Sequence, residues 1–230
     1  MKKKIILKSS ILAVAAGLSV FAINSVFADE LPVQFMGVND FHGALEQTGT
    51  ARLEGETVKN AGTAPLLATY LNDSQKDFET ENAGTPNASI RVQAGDMVGA
   101  SPANSALLQD EPTVKVFNEM NFEYGTLGNH EFDEGLGEFN RIMKGEAPTP
   151  GQFNKIVDEY PHEASKQEVV IANLVDKDTN KIPFDWKPYT IKEIPVNDKT
   201  VKVGFIGVVT TEFPNLVLRK NHEQYRVLDE

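Results

Sequence analysis

The chain has 230 residues, 22 basic against 33 acidic side chains, a formal net charge of −11, 40% apolar residues and no cysteine. The missing thiols exclude disulfides, thiolate nucleophiles and sulfur-bound metals, so any metal must be held by His, Asp, Asn or backbone oxygen. The acidic balance argues against a nucleic-acid polymer as partner, yet anionic phosphates can still bind where metal ions supply local positive charge.

The first residues read as an export signal. Lys2, Lys3, Lys4 and Lys8 form a basic start, an apolar run follows from Ile11 to Ile23, and Val26-Phe27-Ala28 offers a small residue for cleavage. The run is short for a membrane span, so contact with the membrane is expected only during export, with an uncleaved anchor as the alternative. Residues 1–28 are thus expected to be a signal peptide. Its loss removes four lysines and no acid, taking the net charge from −11 to −15. The remaining residues, 29–230, suffice for one domain with a real core.

Val33 to Asn39 reads as a buried strand delivering the polar cluster Asn39-Asp40-Phe41-His42-Gly43 at its C-terminal end. A Gly- and Thr-rich excursion over 47–62 precedes a helix near 64–78, with Thr63 as N-cap and Pro65 in the first turn. The pattern then repeats. Ser89 to Gln93 is a strand running into Ala94-Gly95-Asp96, with helices expected over 102–108 and 112–120. Residues 123–127 form a third strand, running into Gly128-Asn129-His130. In open α/β sheets the edge outside the carboxyl ends of the strands is where ligands bind. A helix to Lys144, another to about Tyr160, and strands over 169–173, 189–195 and 201–209 complete the reading, the last two forming a hairpin.

Two of the four histidines, His42 and His130, fall at strand ends beside acids or amides. Asp40 and His42 are spaced so that an oxygen and an imidazole nitrogen can meet one ion, although such a pair is also a common surface turn. Asp96 could bridge two ions. His130 and Asp133 stand three apart, so in a turn opening a helix the carboxylate can reach the ring; the alternative is a helix start capped by Asn129. Asp176-Lys177-Asp178 opens like an EF-hand loop but lacks the required Gly and closing Glu, and reads as a turn.

Asp40-Phe41-His42-Gly43, Gly95-Asp96-Met97 and Gly128-Asn129-His130-Glu131-Phe132-Asp133 resemble the first three blocks of the calcineurin-like metallophosphoesterases, and of the 5'-nucleotidase family within them. Gly99-Ala100-Ser101-Pro102, Ala172-Asn173-Leu174 and the segment 203–208 are similar too. The resemblance implies a layered α/β/β/α sandwich and two divalent metal ions, Mn, Zn, Co or Mg. Asp40 and His42 would ligate the first ion, Asp96 would bridge, and Asn129 would ligate the second. His130 and Asp133 would be the catalytic pair.

Two cations about 3.5–4 Å apart can clamp a phosphate and activate a water for in-line attack. The implied substrate is a nucleotide or nucleotide-derived phosphate ester, handled outside the cell or at its surface. A 2',3'-cyclic phosphodiesterase or UDP-sugar hydrolase of the same family fits the same residues. The resemblance also implies a further histidine and a Gly-His-x-His block that this sequence lacks; His162 and His222 match neither and are expected to be solvated. The chain is therefore expected to be the N-terminal part of a catalytic domain, weak or inactive without a C-terminal segment. The alternative from another class is a secreted fragment that binds metal or a partner without catalysis.

Overall fold

In the computed structural model the described residues are 31–229. The expected signal peptide lies outside them. Strand β1 (Val33–Val38) leads through the first polar cluster to β2 (Thr48–Leu53), β3 (Glu56–Gly62) and helix α1 (Ala64–Glu81). Strand β4 (Ala88–Gln93) is followed by α2 (Ala103–Ala106) and α3 (Glu111–Glu119). Then come β5 (Tyr124–Gly125), a 3-10 turn (His130–Phe132), α4 (Leu136–Lys144) and α5 (Lys155–Asp158). The chain closes with β6 (Glu168–Val169), β7 (Leu174–Asp176), β8 (Tyr189–Val196), β9 (Lys199–Ile206), α6 (Phe213–Leu216), α7 (Arg219–His222) and β10 (Tyr225–Val227).

The central sheet runs β1-β4-β5-β6, and each of its three pairings is parallel. Strand period two splits it into unlike faces. Ile90 and Val92 point to a cluster with Ile194, Val196 and Phe205 of the β8–β9 hairpin, where Phe205 stacks on Tyr124 at 4.2 Å. Arg91, between them, points the other way. Its guanidinium donates to Met120 O at 2.7 Å and, from α1, to Asn72 Oδ1 at 2.8 Å and Gln75 Oε1 at 2.9 Å. That face carries the main core, including Leu71, Phe117, Phe132, Leu136 and Phe213. Helices on one face and an antiparallel hairpin on the other make the layered α/β fold of the metallophosphoesterases.

Some elements differ from the sequence expectation. Residues 48–62 form a hairpin turned at Glu54-Gly55, both with positive φ, and nearly all of its residues are exposed. Strand β5 stops at Gly125 because Gln93 Nε2 reaches across to Thr126 O at 2.9 Å, taking the acceptor a longer ladder would use. The stretch over 169–173 changes partners residue by residue: Val170 N donates to Gly125 O, Ile171 N to Lys187 O and Ala172 N to Gly207 O. The helices after Pro102 and before Tyr160 each shrink to a single turn. The hairpin over 189–206 and the Asp176 turn are as expected, the latter closed by Asp176 Oδ1 accepting from Thr179 N at 2.8 Å.

His162 is a correction. It is not solvated: its Nδ1 lies 2.6 Å from Oε2 of Glu111, a carboxylate only 3% exposed that also pairs with Arg141 at 2.9 Å. A buried acid needs such partners. His222 is likewise half-buried, its ring edge-on to Phe213 at 5.4 Å.

Candidate metal centre

The loops at the carboxyl ends of β1 and β4 meet through their main chains, and the loop after β5 joins them through side chains. Asp40 N donates to Gly95 O at 3.2 Å, His42 N to Asp96 O at 3.0 Å and Gly43 N to Met97 O at 3.1 Å. His130 N donates to Asp96 Oδ1 at 2.9 Å. Asp40, His42 and Asp96 all take positive φ, at 52°, 49° and 54°. This left-handed conformation is uncommon outside glycine and concentrates where function constrains the chain.

Donor atoms of His42, Asp96 and His130 lie within 4.8 Å of one another. Two donors bonded to one ion at about 2.1 Å stand at most about 4.2 Å apart, so a small closing movement would bring the His42 and Asp96 donors onto a shared cation, with the His130 ring beside it. The His42 Nδ1 lies 3.0 Å from Gly99 O, where an N–H donates and leaves Nε2 unprotonated, the tautomer a metal requires. That Nε2 is 3.7 Å from Asp40 Oδ1. Asp40 is more open, 58% exposed at the side chain, and receives the Asn39 amide. The Asn129 side chain caps nothing in the turn it opens. The expected ligands Asp40, His42, Asp96 and Asn129 thus come from three adjoining loops, with oxygen and imidazole donors that suit a divalent ion.

His130 and Asp133 also meet, with Nδ1 2.8 Å from Oδ2, and the same oxygen accepts from Ala100 N at 3.0 Å. Burial pulls the His130 pKa down, but the hydrogen bond and charge of Asp133, helped by Asp96 and Glu131, outweigh it and hold it above the ordinary value. The two histidine rings stand edge to face at 4.7 Å. Beside the pair lies a cavity of about 100 Å³ lined by Gly99, Ser101, Gln109 and Asp110, well below the 300 Å³ or more usual for a small-ligand site.

No family model matches the chain. A cell wall protein of Listeria monocytogenes is 52% identical over 204 residues, which are 88% of this chain and 25% of that protein. An endonuclease of Bacillus subtilis is 35% identical over 204 residues, 88% of this chain and 15% of that protein. A 2',3'-cyclic-nucleotide 2'-phosphodiesterase/3'-nucleotidase of Salmonella typhimurium is 32% identical over 133 residues, 53% of this chain and 17% of that protein. Among solved structures, the NAD nucleotidase of Haemophilus influenzae shares the fold, with a TM-score of 0.59 and 23% identity over 85% of this chain and 29% of its own.

The chain belongs to the 5'-nucleotidase family of the calcineurin-like metallophosphoesterases. It spans a quarter or less of the length of these curated relatives. The family is one of metal-dependent phosphoesterases.

One residue in the family's third block carries more than its sequence context revealed. Glu131, only 2% exposed, accepts from Asp96 N at 2.9 Å, Met97 N at 2.8 Å and Gly128 N at 2.6 Å. Burial pushes its pKa up to about 7 against the lowering effect of those three amides. Its position beside His130 was the only sequence signal.

Gly99 is similarly decisive in this 5'-nucleotidase-family site. At φ +78° a Cβ there would run into the His130 carbonyl and stand 2.7 Å from Asp133 Oδ2 and 2.9 Å from His130 Cβ. Gly99→Ala is expected to lower stability by about 1–3 kcal/mol, from positive-φ strain and overpacking, and to displace His130. Thermal melts with an NMR titration of the imidazole check this; an unchanged melting point and His130 resonance would contradict the tight fit.

Proposed function

We propose that the protein is an exported, metal-dependent phosphoesterase that hydrolyses nucleotide phosphate esters. The observation that carries the reading is the gathering of His42, Asp96 and His130 at one point, with the His130–Asp133 pair beside it. Asp40 and His42 would hold one cation, Asn129 the other, and Asp96 both. When bound, the cations supply Lewis-acid polarisation of the phosphoryl group and a nucleophile available near neutral pH. The Gly99 carbonyl fixes the His42 ring. Asp133 holds the His130 ring with Nδ1 engaged, leaving Nε2 to stabilise charge on the phosphoryl oxygens or protonate the leaving oxygen.

The named activities of the relatives, a nucleotidase with cyclic phosphodiesterase activity and an endonuclease, support phosphate mono- and diesters of nucleosides as the substrate class. The decisive assay loads purified protein with Mn²⁺ and offers AMP, 2',3'-cyclic AMP and a single-stranded oligonucleotide. Metal-dependent release of inorganic phosphate from AMP is the expected result, weak or absent in the chain alone and clear once it carries the C-terminal segment that the resemblance implies. Cleavage of the oligonucleotide alone would overturn the nucleotide reading in favour of a nuclease, and metal binding without any turnover even in the extended protein would favour the non-catalytic fragment.

The resemblance of residues 1–28 to an export signal and the cell wall protein relative support action outside the membrane. No helix among the described residues is long and apolar enough to cross a membrane. Protein recovered from culture supernatant or the cell surface is expected to begin at Asp29 by mass measurement. Recovery only as an intact, membrane-bound chain from Met1 would refute cleavage.

A further inference from the structure

We propose that Glu131 is a positioning residue that ties the Asp96 and Asn129 loops to each other, so that both expected ligands are presented together before any cation arrives. The inference rests on the reading of those two residues as ligands. Glu131 Oε2 accepts from Asp96 N and Gly128 N, and Oε1 accepts from Met97 N. These amides belong to two separate loops, one after β4 and one after β5. Asp96 N is the amide of the expected bridging ligand, and Gly128 N immediately precedes the expected ligand Asn129. With both hydrogen-bonding directions of Oε2 spent on main chain, Glu131 acts through the ligands and not as one.

The contact between the loops has little room to adjust. A Cβ at Gly128 would collide with Asp96 Oδ1, and that oxygen already accepts from His130 N. Without the Glu131 carboxylate, three inward amides would lose their acceptor, and buried N–H groups left unpaired are rare because each costs about as much as a lost hydrogen bond. The loops would then reorganise to find water or other partners. Asp96, held at positive φ, has the most to lose.

The test uses Glu131→Gln and Glu131→Asp. Glutamine keeps the shape but must turn an N–H₂ toward at least one of the three amide donors. Aspartate keeps the charge and draws it back by one methylene. Ile194→Ala, which removes packing between the β8–β9 hairpin and the opposite sheet face, serves as a control for lost stability. Mn²⁺ affinity is measured by calorimetric titration well below the melting temperature. Hydrogen exchange at Asp96, Met97 and Gly128 is followed in metal-free protein.

Glu131→Gln is expected to weaken Mn²⁺ binding by about 10–100-fold, the usual effect of removing a group that supports a ligand, and to speed exchange at those three amides. Glu131→Asp should show a smaller version of both changes, and Ile194→Ala neither. Equal Mn²⁺ affinity and unchanged exchange in both Glu131 variants would overturn the positioning role and leave the metal site standing. A loss in Ile194→Ala equal to that in Glu131→Gln would overturn it too, since stability alone would then account for the effect. Failure of the unmodified protein to bind Mn²⁺ would overturn the metal reading and this inference with it.

Discussion

Asp96→Ala is expected to leave the protein without bound metal. The carboxylate stands where donor atoms of His42 and His130 converge, and its loop is the one the other two loops bond to. A carboxylate shared by two cations offsets their mutual repulsion, so its removal disfavours both ions at once. Alanine also orphans His130 N and removes a side chain that can settle at positive φ by bonding locally. Asp96→Asn separates these effects. It retains an oxygen for His130 N and a residue type tolerant of that φ, so the melting temperature should hold while metal content falls. Elemental analysis beside thermal melts decides the matter; stoichiometric metal in Asp96→Ala would remove Asp96 from the site.

The second large effect is expected at His130. In protein extended by the C-terminal segment that the resemblance implies, His130→Ala should retain metal while kcat falls by about 10²–10⁴-fold, the range for a positioned acid or base. Asp133→Asn should be milder, with a diagnostic pH profile. Asp133 keeps His130 protonated to higher pH than an ordinary imidazole. A general acid loses activity as pH rises through its pKa. Removing the carboxylate charge should therefore move that loss to lower pH. The proximity of His130 to His42 and Asp96 gives the contrary outcome a clear meaning: if His130→Ala emptied the site of metal, His130 would be a ligand and the proton would have to come from elsewhere.

The order of strand, polar loop and helix through residue 144 was readable because each of the first three sheet strands is followed by a cluster of amide, acid, glycine or histidine residues: Asn39-Asp40, Gly95-Asp96 and Gly128-Asn129-His130. The β2–β3 hairpin escaped notice because alternation betrays a strand only when one face is buried, and here both are wet. The i, i+3 spacing of His130 and Asp133 exposed that pair. The Gly99 carbonyl on His42 spans 57 positions, and the Asp96 amide on Glu131 spans 35; no local pattern encodes contacts that long. His162 was misread for the opposite reason. Its neighbours are polar, but the acid that claims it, Glu111, is a buried residue at the start of α3, 51 positions away.

The left-handed backbone at Asp40, His42 and Asp96 bears on how such a site can decay under mutation. Each position tolerates Gly, Asn, Asp or His cheaply, whereas a branched or bulky side chain there costs about 1–2 kcal/mol in backbone strain alone. Random drift would thus be filtered by folding even in a lineage no longer selected for catalysis. Retained ligand-type residues at these three positions are weaker testimony to present activity than retention of His130, whose φ imposes no such filter.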